Sequence, residues 1–272
     1  MEQQRVTVTG CTLSLRRGGS GEPLLYLHGA NGAPLELPFM TALAGDFDLL
    51  VPEHPGYGAS DDPEWLDTIQ DLAYFYLDFI KHLGLEGVHL AGSSMGGWIA
   101  LEMAVRNTAA IRTLTLSAPA GIHLKGVPKG DLFMWSPEET LRNLLHDPQM
   151  AEDAIAAMPE GLEADPVFLK NRSTAAKLLW SPRLYNPHLY KWLHRIDVPT
   201  LIVWGREDKL LPVAYAEAFA KLIPGAETAI LDHCGHLPYL EQAGRFVELL
   251  RGHVARETAG REKAGAAPKV NP

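Results

Sequence analysis

The residues best suited to chemistry are a serine, an aspartate and a histidine far apart in the chain. Gly92-Ser93-Ser94-Met95-Gly96 fits the pattern G-x-S-x-G, with Ser94 at its centre. The pentapeptide follows an apolar run, Val88 to Ala91, and opens a helical pattern, Met95 to Arg106. That setting predicts a tight strand-to-helix turn in which Gly92 and Gly96 let the two elements approach. Ser94 would then sit in a strained conformation with its oxygen exposed. Ser93 lacks glycine at both required offsets. The competing reading of Ser94 is a plain helix N-cap, a position serine favours.

A serine hydroxyl is a weak nucleophile unless a base lies beside it. Eleven histidines compete for that part. His236, in Asp232-His233-Cys234-Gly235-His236-Leu237, follows the last predicted strand and precedes the last helix, and is the first choice. His233 is its rival. His89 lies mid-strand and reads as structural, whereas His82, His146, His188, His194 and His253 fall in helical or cap stretches where a solvated ring is the default. The base needs a carboxylate to orient it. Asp208, in the loop after the strand ending at Trp204, is placed for this, with Glu207 as the alternative. Negative charge developing on a carbonyl oxygen needs preorganised donors. The backbone N–H groups of Met95 and Ala30 are the expected pair, with Asn31 close behind Ala30. His28 is expected to organise that turn by hydrogen bonding.

These groups must be carried by a frame, and the apolar pattern supplies one. Arg5 to Thr9 and Thr12 to Arg16 alternate as strands, with Gly10 and Cys11 as the hairpin turn. Pro23 to Leu27, Phe47 to Pro52, Val88 to Ala91, Ile111 to Leu116, Thr200 to Trp204 and Thr228 to Leu231 are short continuous apolar runs. They suit strands covered on both faces, as in parallel sheets. Helical patterns lie between them: Thr68 to Leu83, Met95 to Arg106, Ala214 to Leu222 and Leu240 to Val254. Strand and helix in alternation define an α/β protein with right-handed crossovers. The alternation breaks at 121–189, which holds helix-like patches at Pro137 to Leu145, Gln149 to Met158 and Pro166 to Leu179. The expected organisation is a core of 1–120 and 190–254, a helical insertion at 121–189, and a tail at 255–272 that is disordered or a frayed helix extension.

The chain of 272 residues is 46% hydrophobic and 21% charged, ordinary for a globular protein. The net charge of −9 argues against nucleic acid as a partner. Two cysteines, Cys11 and Cys234, make neither a disulfide framework nor a structural zinc site. No signal peptide and no span of about 20 apolar residues is evident, so a cytoplasmic protein away from the membrane is expected. No metal or organic cofactor is expected. The partner would be a small-molecule substrate, and the chain a monomer or homodimer.

Together these motifs resemble the α/β-hydrolase family, over about residues 5 to 254. The likeness rests on His28-Gly29, on Pro55-Gly56-Tyr57-Gly58-Ala59-Ser60-Asp61, on the Ser94 elbow, on the Asp208 loop and on Gly235-His236. The order Ser94, Asp208, His236 is the order of that family. The resemblance implies a mostly parallel, eight-stranded sheet, a helical cap inserted after the sixth strand, and triad roles for the three residues. Ser94 separates the chain from haloalkane dehalogenases and epoxide hydrolases, whose nucleophile is aspartate. Cofactor-free haloperoxidase-like hydrolases share the triad. Hydrolases of C–C bonds in aromatic meta-cleavage products look similar around Ser94-Met95-Gly96-Gly97. They carry Trp after the catalytic His, where this chain has Leu237, and an Arg from the cap, for which Arg172 and Arg183 are candidates.

The leading expectation is a serine hydrolase of small, mostly apolar carboxylic esters working through an acyl-enzyme on Ser94. The alternatives are a C–C hydrolase of vinylogous diketone acids and a non-catalytic ligand-binding protein on the same fold. Pockets for such ligands are mostly apolar with a few placed polar groups. Asn31, Trp98, Phe133, Trp135, Trp180 and Leu237 are the candidate substrate contacts.

Overall fold

The computed structural model describes residues 1–33 and 36–265, with side chains placed up to Thr258. Eight strands form one sheet: β1 (Glu2–Val8), β2 (Cys11–Gly18), β3 (Pro23–Leu27), β4 (Asp48–Pro52), β5 (Val88–Ser93), β6 (Ile111–Ser117), β7 (Thr200–Gly205) and β8 (Glu227–Leu231). Their spatial order is β1-β2-β4-β3-β5-β6-β7-β8. β1 and β2 pair antiparallel, as do β2 and β4, and every later pairing is parallel. The sheet is therefore the α/β-hydrolase fold. Every residue of β5 and of β7 is buried, which is why those strands read as unbroken apolar runs.

Nine helices lie in the described residues: α1 (Pro38–Ala44), α2 (Ile69–His82), α3 (Met95–Arg106), α4 (Pro137–Leu144), α5 (Pro148–Ala156), α6 (Pro166–Leu179), α7 (Ala214–Leu222), α8 (Pro238–Glu241) and α9 (Ala243–Gly265). On one face of the sheet α2, α3 and α7 bury Phe79, Ile99 and Phe219 in the larger core. On the other, α1 and α9 close over Tyr26, Phe39 and Phe246. Thr68 starts α2 with a reciprocal capping box. Its hydroxyl accepts from the Asp71 amide, and the Asp71 carboxylate accepts from the Thr68 amide. α3 is buried on all sides except at Arg106, the signature of a helix inside the molecule rather than on its surface. The β6–β7 connection carries α4, α5 and α6. None of the described helices is long and apolar enough to cross a membrane.

Two expectations need correction, and a third is narrowed. The first hairpin turns on Thr9 and Gly10, with φ of 47° and 82°, and Cys11 already pairs with Val8 inside the ladder. Positive φ at both central residues matches the twist of the flanking strands better than a turn at Gly10-Cys11 would. The pattern from Leu240 to Val254 is two helices, because Gln242 (φ −130°, ψ 50°) leaves the helical region. Of the two readings of the tail from Ala255, disorder or a frayed extension of the helix, the described part takes the second, continuing α9 as helix to Gly265. Its Ala, Arg, Glu and Lys residues are strong helix formers. Residues 266–272 lie outside the described part.

The α2 capping box gives a direct test of this local account. Thr68→Ala should lower unfolding stability by about 1 kcal/mol, read as a shifted urea midpoint with an unchanged slope. A midpoint equal to that of the unsubstituted protein would show that the box adds nothing.

Candidate active site

Ser94 joins β5 to α3 with φ 53° and ψ −113°, a backbone region that costs a side-chain-bearing residue about 1–3 kcal/mol. The surroundings hold it there. The Ser94 amide donates to Ser117 O at 2.9 Å, and the Ser94 carbonyl accepts from Ala120 at 3.1 Å and from Trp98 at 3.0 Å. A Cβ at Gly92 would overlap the Gly96 backbone, and one at Gly96 would overlap the carbonyls of Leu27 and His28. Both glycines are thus required by the close approach of strand and helix. The Ser94 hydroxyl makes no capping bond to its helix, which rules out the simple N-cap reading and leaves the oxygen for other use.

The structure brings Asp208 and His236 together. The His236 ring donates from Nδ1 to Asp208 Oδ2 at 2.7 Å. The second oxygen, Oδ1, accepts from the amides of Leu210 at 2.9 Å and Leu211 at 2.8 Å. The Asp208 side chain is 0% exposed and that of His236 2%. With Nδ1–H committed to the carboxylate, Nε2 carries the lone pair, and it is buried with no hydrogen-bond partner. The two loops are locked together. Glu207 N donates to Cys234 O, and the Glu207 carboxylate accepts from Cys234 N, both at 3.0 Å. A Cβ at Gly205 would overlap the carbonyls of Cys234 and Gly235. Glu207 is accordingly a brace for the histidine loop rather than a second orienting acid. His233 does not contact Asp208. It has φ of 55° and packs by ring contact on His146.

Ser94 and His236 line one small cavity of about 40 Å³ together with Gly29, Ala30, Asn31 and Leu237. A Cβ at Gly29 would sit in ordinary contact with the Ser94 side chain, 3.5 Å away, so the turn after β3 flanks the elbow directly. Met95 opens α3, and its amide has no intrahelical acceptor. The turn itself is held from behind. His28 bonds through Nδ1 to Gly29 O at 2.8 Å, and its Nε2 accepts from His54 N at 3.0 Å. His54 stacks on His28, bonds to His28 O through Nε2, and meets Tyr76 Oη through Nδ1. The organising part expected of His28 is thus present. The buried His54–Tyr76 support is new, because nothing in either stretch alone points to the other.

A larger cavity of about 190 Å³ adjoins the small one, sharing Ala30, Asn31 and Leu132. Its walls are mainly apolar, with Phe133, Leu141, Met158, Leu162 and Phe168 from the β6–β7 connection. Thr140, Asn171 and Arg172 supply polarity. Arg172 lies against the Phe168 ring, 5.9 Å from its centroid. Arg183, the other arginine candidate, is paired with Asp131 and lies over Trp180.

Of the expected substrate contacts, Asn31, Phe133 and Leu237 line these cavities. Trp98 does not. It is 3% exposed, and its indole turns into the core to donate to Glu102 at 3.1 Å, one helical turn on. Trp135 packs against Gly130. Trp180 is half exposed, with its ring edge-on to Phe133. Neither lines either cavity. Thr140, Asn171 and Tyr239 were missed. The Lys170-Asn171 pair shows why. Asn171 accepts from Gly58 N, and Lys170 donates to Gly58 O and Ser60 O, contacts between α6 and a distant loop that no local pattern announces. His253, expected to be solvated, is buried. Among the described residues no cluster of His, Cys, Asp or Glu is suited to a metal ion.

Comparison with known proteins agrees with this frame. A sequence model described as the alpha/beta hydrolase family matches residues 24–249. The chain is 26% identical to a 2-hydroxymuconate semialdehyde hydrolase of Pseudomonas putida, over 94% of this chain and 95% of that one. It is 27% identical to lipase 1 of Psychrobacter immobilis, over 82% of this chain and 73% of the lipase. Among solved structures, a meta-cleavage product hydrolase of Pseudomonas fluorescens superposes with a TM-score of 0.80 at 20% identity, covering 93% of this chain and 97% of that one.

The His28–His54 pair makes the site sensitive to acid. Burial pushes His54 from 6.5 down to about 4. Burial, with His54 adding to it, also lowers His28 well below its ordinary value. Both rings are therefore neutral when folded, while the unfolded chain takes up protons below 6.5. Their contribution is intact above that pH and is lost as pH falls toward 4. The urea midpoint should drop across this window, and less steeply in His54→Asn, which keeps a hydrogen-bonding side chain but cannot titrate. Parallel profiles for the two proteins would contradict the assignment.

Proposed function

The chain belongs to the alpha/beta hydrolase family, and from that premise we propose that it is a serine hydrolase of small, mostly apolar carboxylic esters. Ser94 is the nucleophile, His236 the base and Asp208 the orienting acid. One observation carries the reading: an imidazole pinned by a buried carboxylate through Nδ1, with an unpartnered Nε2, shares a cavity with an uncapped, strained serine. His236 takes the Ser94 proton as the oxygen attacks the ester carbonyl. The amides of Ala30 and Met95 receive the oxyanion, each such donor being worth about 10²–10³ in rate. His236 then protonates the leaving alcohol, and the same ring activates the water that releases the acid. The Asp208 carboxylate stabilises the imidazolium in both half-reactions.

The β6–β7 connection serves as a cap over this centre, dividing the chain into a core of 1–120 and 190–254 and a cap of 121–189. The cavity under it, about 190 Å³, has room for roughly six groups of the size of a water molecule at ~30 Å³ each. A medium-length alkyl or single-ring arm fits that volume. Asn31, Phe133 and Leu237 line its path from the serine.

A second reading, cleavage of a C–C bond in a vinylogous diketone acid, has its own support. Arg172 lines the larger cavity and pairs with no carboxylate among the described residues, which suits a substrate that carries an anion. Leu237 in the small cavity speaks for the ester.

Burst kinetics with p-nitrophenyl esters of graded acyl length, alongside a meta-cleavage dienoate, separate the readings. The esters should give a burst and turnover, best where the acyl arm fills the cavity. Ser94→Ala should abolish the burst and lower turnover by about 10³-fold or more while remaining folded. Near-normal ester turnover by Ser94→Ala would refute the nucleophile. Faster turnover of the dienoate than of any ester would replace the first reading with the second.

A further inference from the structure

The Glu241 carboxylate belongs to no part of the chemistry described so far, yet it sits where two elements must be held together. Oε1 accepts from Gly235 N at 2.8 Å. Oε2 accepts from His146 N at 2.7 Å and, more weakly, from Asp147 N at 3.4 Å. Gly235 is the residue before His236. His146 and Asp147 form the link from α4 to α5. One side chain on α8 therefore bonds both the histidine loop and the end of α4. The amide of His236 itself donates to Leu144 O, the last residue of α4, at 2.7 Å. The fit leaves no slack. A Cβ at Gly235 would overlap Leu144 O and crowd His146 N at 2.9 Å and Glu241 Oε1 at 3.0 Å.

α4 has a second duty. Thr140 and Leu141 from its middle line the larger cavity, and Leu144 from its end lines the small one beside Ser94 and His236. The same helix is thus a wall of the substrate cavity and the seat of the histidine backbone. We infer that Glu241 is a positioning residue for His236: it clamps the base to the end of α4, so that filling of the larger cavity is transmitted to the imidazole. This rests on the reading of Ser94 and His236 as nucleophile and base.

The physical reason lies in what the two oxygens satisfy. A carboxylate accepts at both ends, so it can bridge two backbone N–H groups that have no other partner. An amide of the same shape offers one acceptor and turns a donor toward the other N–H. The bridged amides, His146 N and Gly235 N, are 89 positions apart in sequence. Without the bridge, what still ties loop to helix is the His236–Leu144 bond and the ring contact of His233 with His146. A base displaced by about 1 Å can cost ~10²-fold in rate. Binding of the arm in the cavity would be affected far less.

Glu241→Gln tests the clamp. With esters of graded acyl length the expected result is kcat lowered by ~10–100-fold with KM little changed. The rise of kcat with acyl length expected of the unsubstituted protein should flatten. Gly235→Ala, which keeps the carboxylate but wedges the loop off α4, should show the same split. A readout independent of turnover is the low-field proton resonance of the His236–Asp208 bond. It should be present in the unsubstituted protein and be lost or displaced in Glu241→Gln. Lower thermal stability with unchanged kcat and an unchanged low-field proton would make Glu241 merely structural and overturn the inference. A change confined to KM would overturn it as well. If the unsubstituted protein neither turns over esters nor labels at Ser94 with a fluorophosphonate, the functional reading fails by itself. The proton signal then still decides the clamp.

Discussion

The fold turns on the contact between the end of β5 and the start of α3. A serine with φ of 53° is held in place only because backbone closes in around it. The contact tolerates no side chain at Gly92 or Gly96. The Ser94 peptide is tied to β6 through Ser117 and to the following loop through Ala120. The local strain, about 1–3 kcal/mol, is offset by burying nearly all of α3 in the core. Since Gly96 lies against the carbonyls of Leu27 and His28, the same contact fixes where the turn after β3 must pass. That turn carries Gly29 and Ala30. The buried His28–His54–Tyr76 chain behind it then follows as the means of satisfying polar groups that the close approach has cut off from water.

The opposite rim is built on a similar principle with different parts. β7 and β8 end side by side, and their loops carry Asp208 and His236. Gly205 lets the loop after β8 cross the end of β7 at backbone contact. Three carboxylates converge on that loop with distinct tasks. Asp208 holds the imidazole, Glu207 holds Cys234 N, and Glu241 holds Gly235 N. Each accepts from N–H donors, which compensates a charge brought close to two others. The burial of Cys234 raises its thiol well above the ordinary range, with the neighbouring carboxylates adding to the effect. It is thereby kept neutral and inert beside Asp208 and His236.

Sequence alone reached the parts of this arrangement that are written locally. The parallel strands were legible because burial on both faces removes the polar alternation. α2 was legible through Thr68 and Gly84, and the elbow through its glycines. The candidate chemistry was legible because each residue lies at the end of its own strand, a regularity of α/β sheets. The walls of the cavities were not. Phe133 and Trp180 are both aromatic residues of one connection, and nothing in composition tells which ring faces inward. Trp98, one turn beyond the serine, looked like a substrate contact, but the hydrogen bond to Glu102 decides its direction. Glu102 also accepts from Gln70, Asn186 and Arg106, a convergence that exists only once α2, α3 and the β6–β7 connection have packed. The same holds for Glu241, whose two bridged partners lie on opposite sides of β7 in the chain.

Arg172 and Leu237 pull the choice of substrate in different directions, and the conflict can be weighed physically. A guanidinium beside an apolar cavity keeps its charge whatever its surroundings. The Phe168 face compensates only part of the lost hydration, an effect of about 0.5–2 kcal/mol. Hydrocarbon alone in that cavity would leave the cation worse solvated than water does. An anionic group on the arm would compensate it further, through a hydrogen-bonded ion pair. The serine end of the path is indifferent to this. In the proposed reaction Ser94 and the amides there meet a carbonyl in either case, and what differs is whether His236 must protonate an oxygen or a carbon of the leaving group. On the proposed reading, bond type would be set close to His236, where Leu237 stands, and the charge of the arm about α6, where Arg172 stands. An ester whose acyl arm ends in a carboxylate satisfies both ends at once, and in that substrate the two residues cease to conflict.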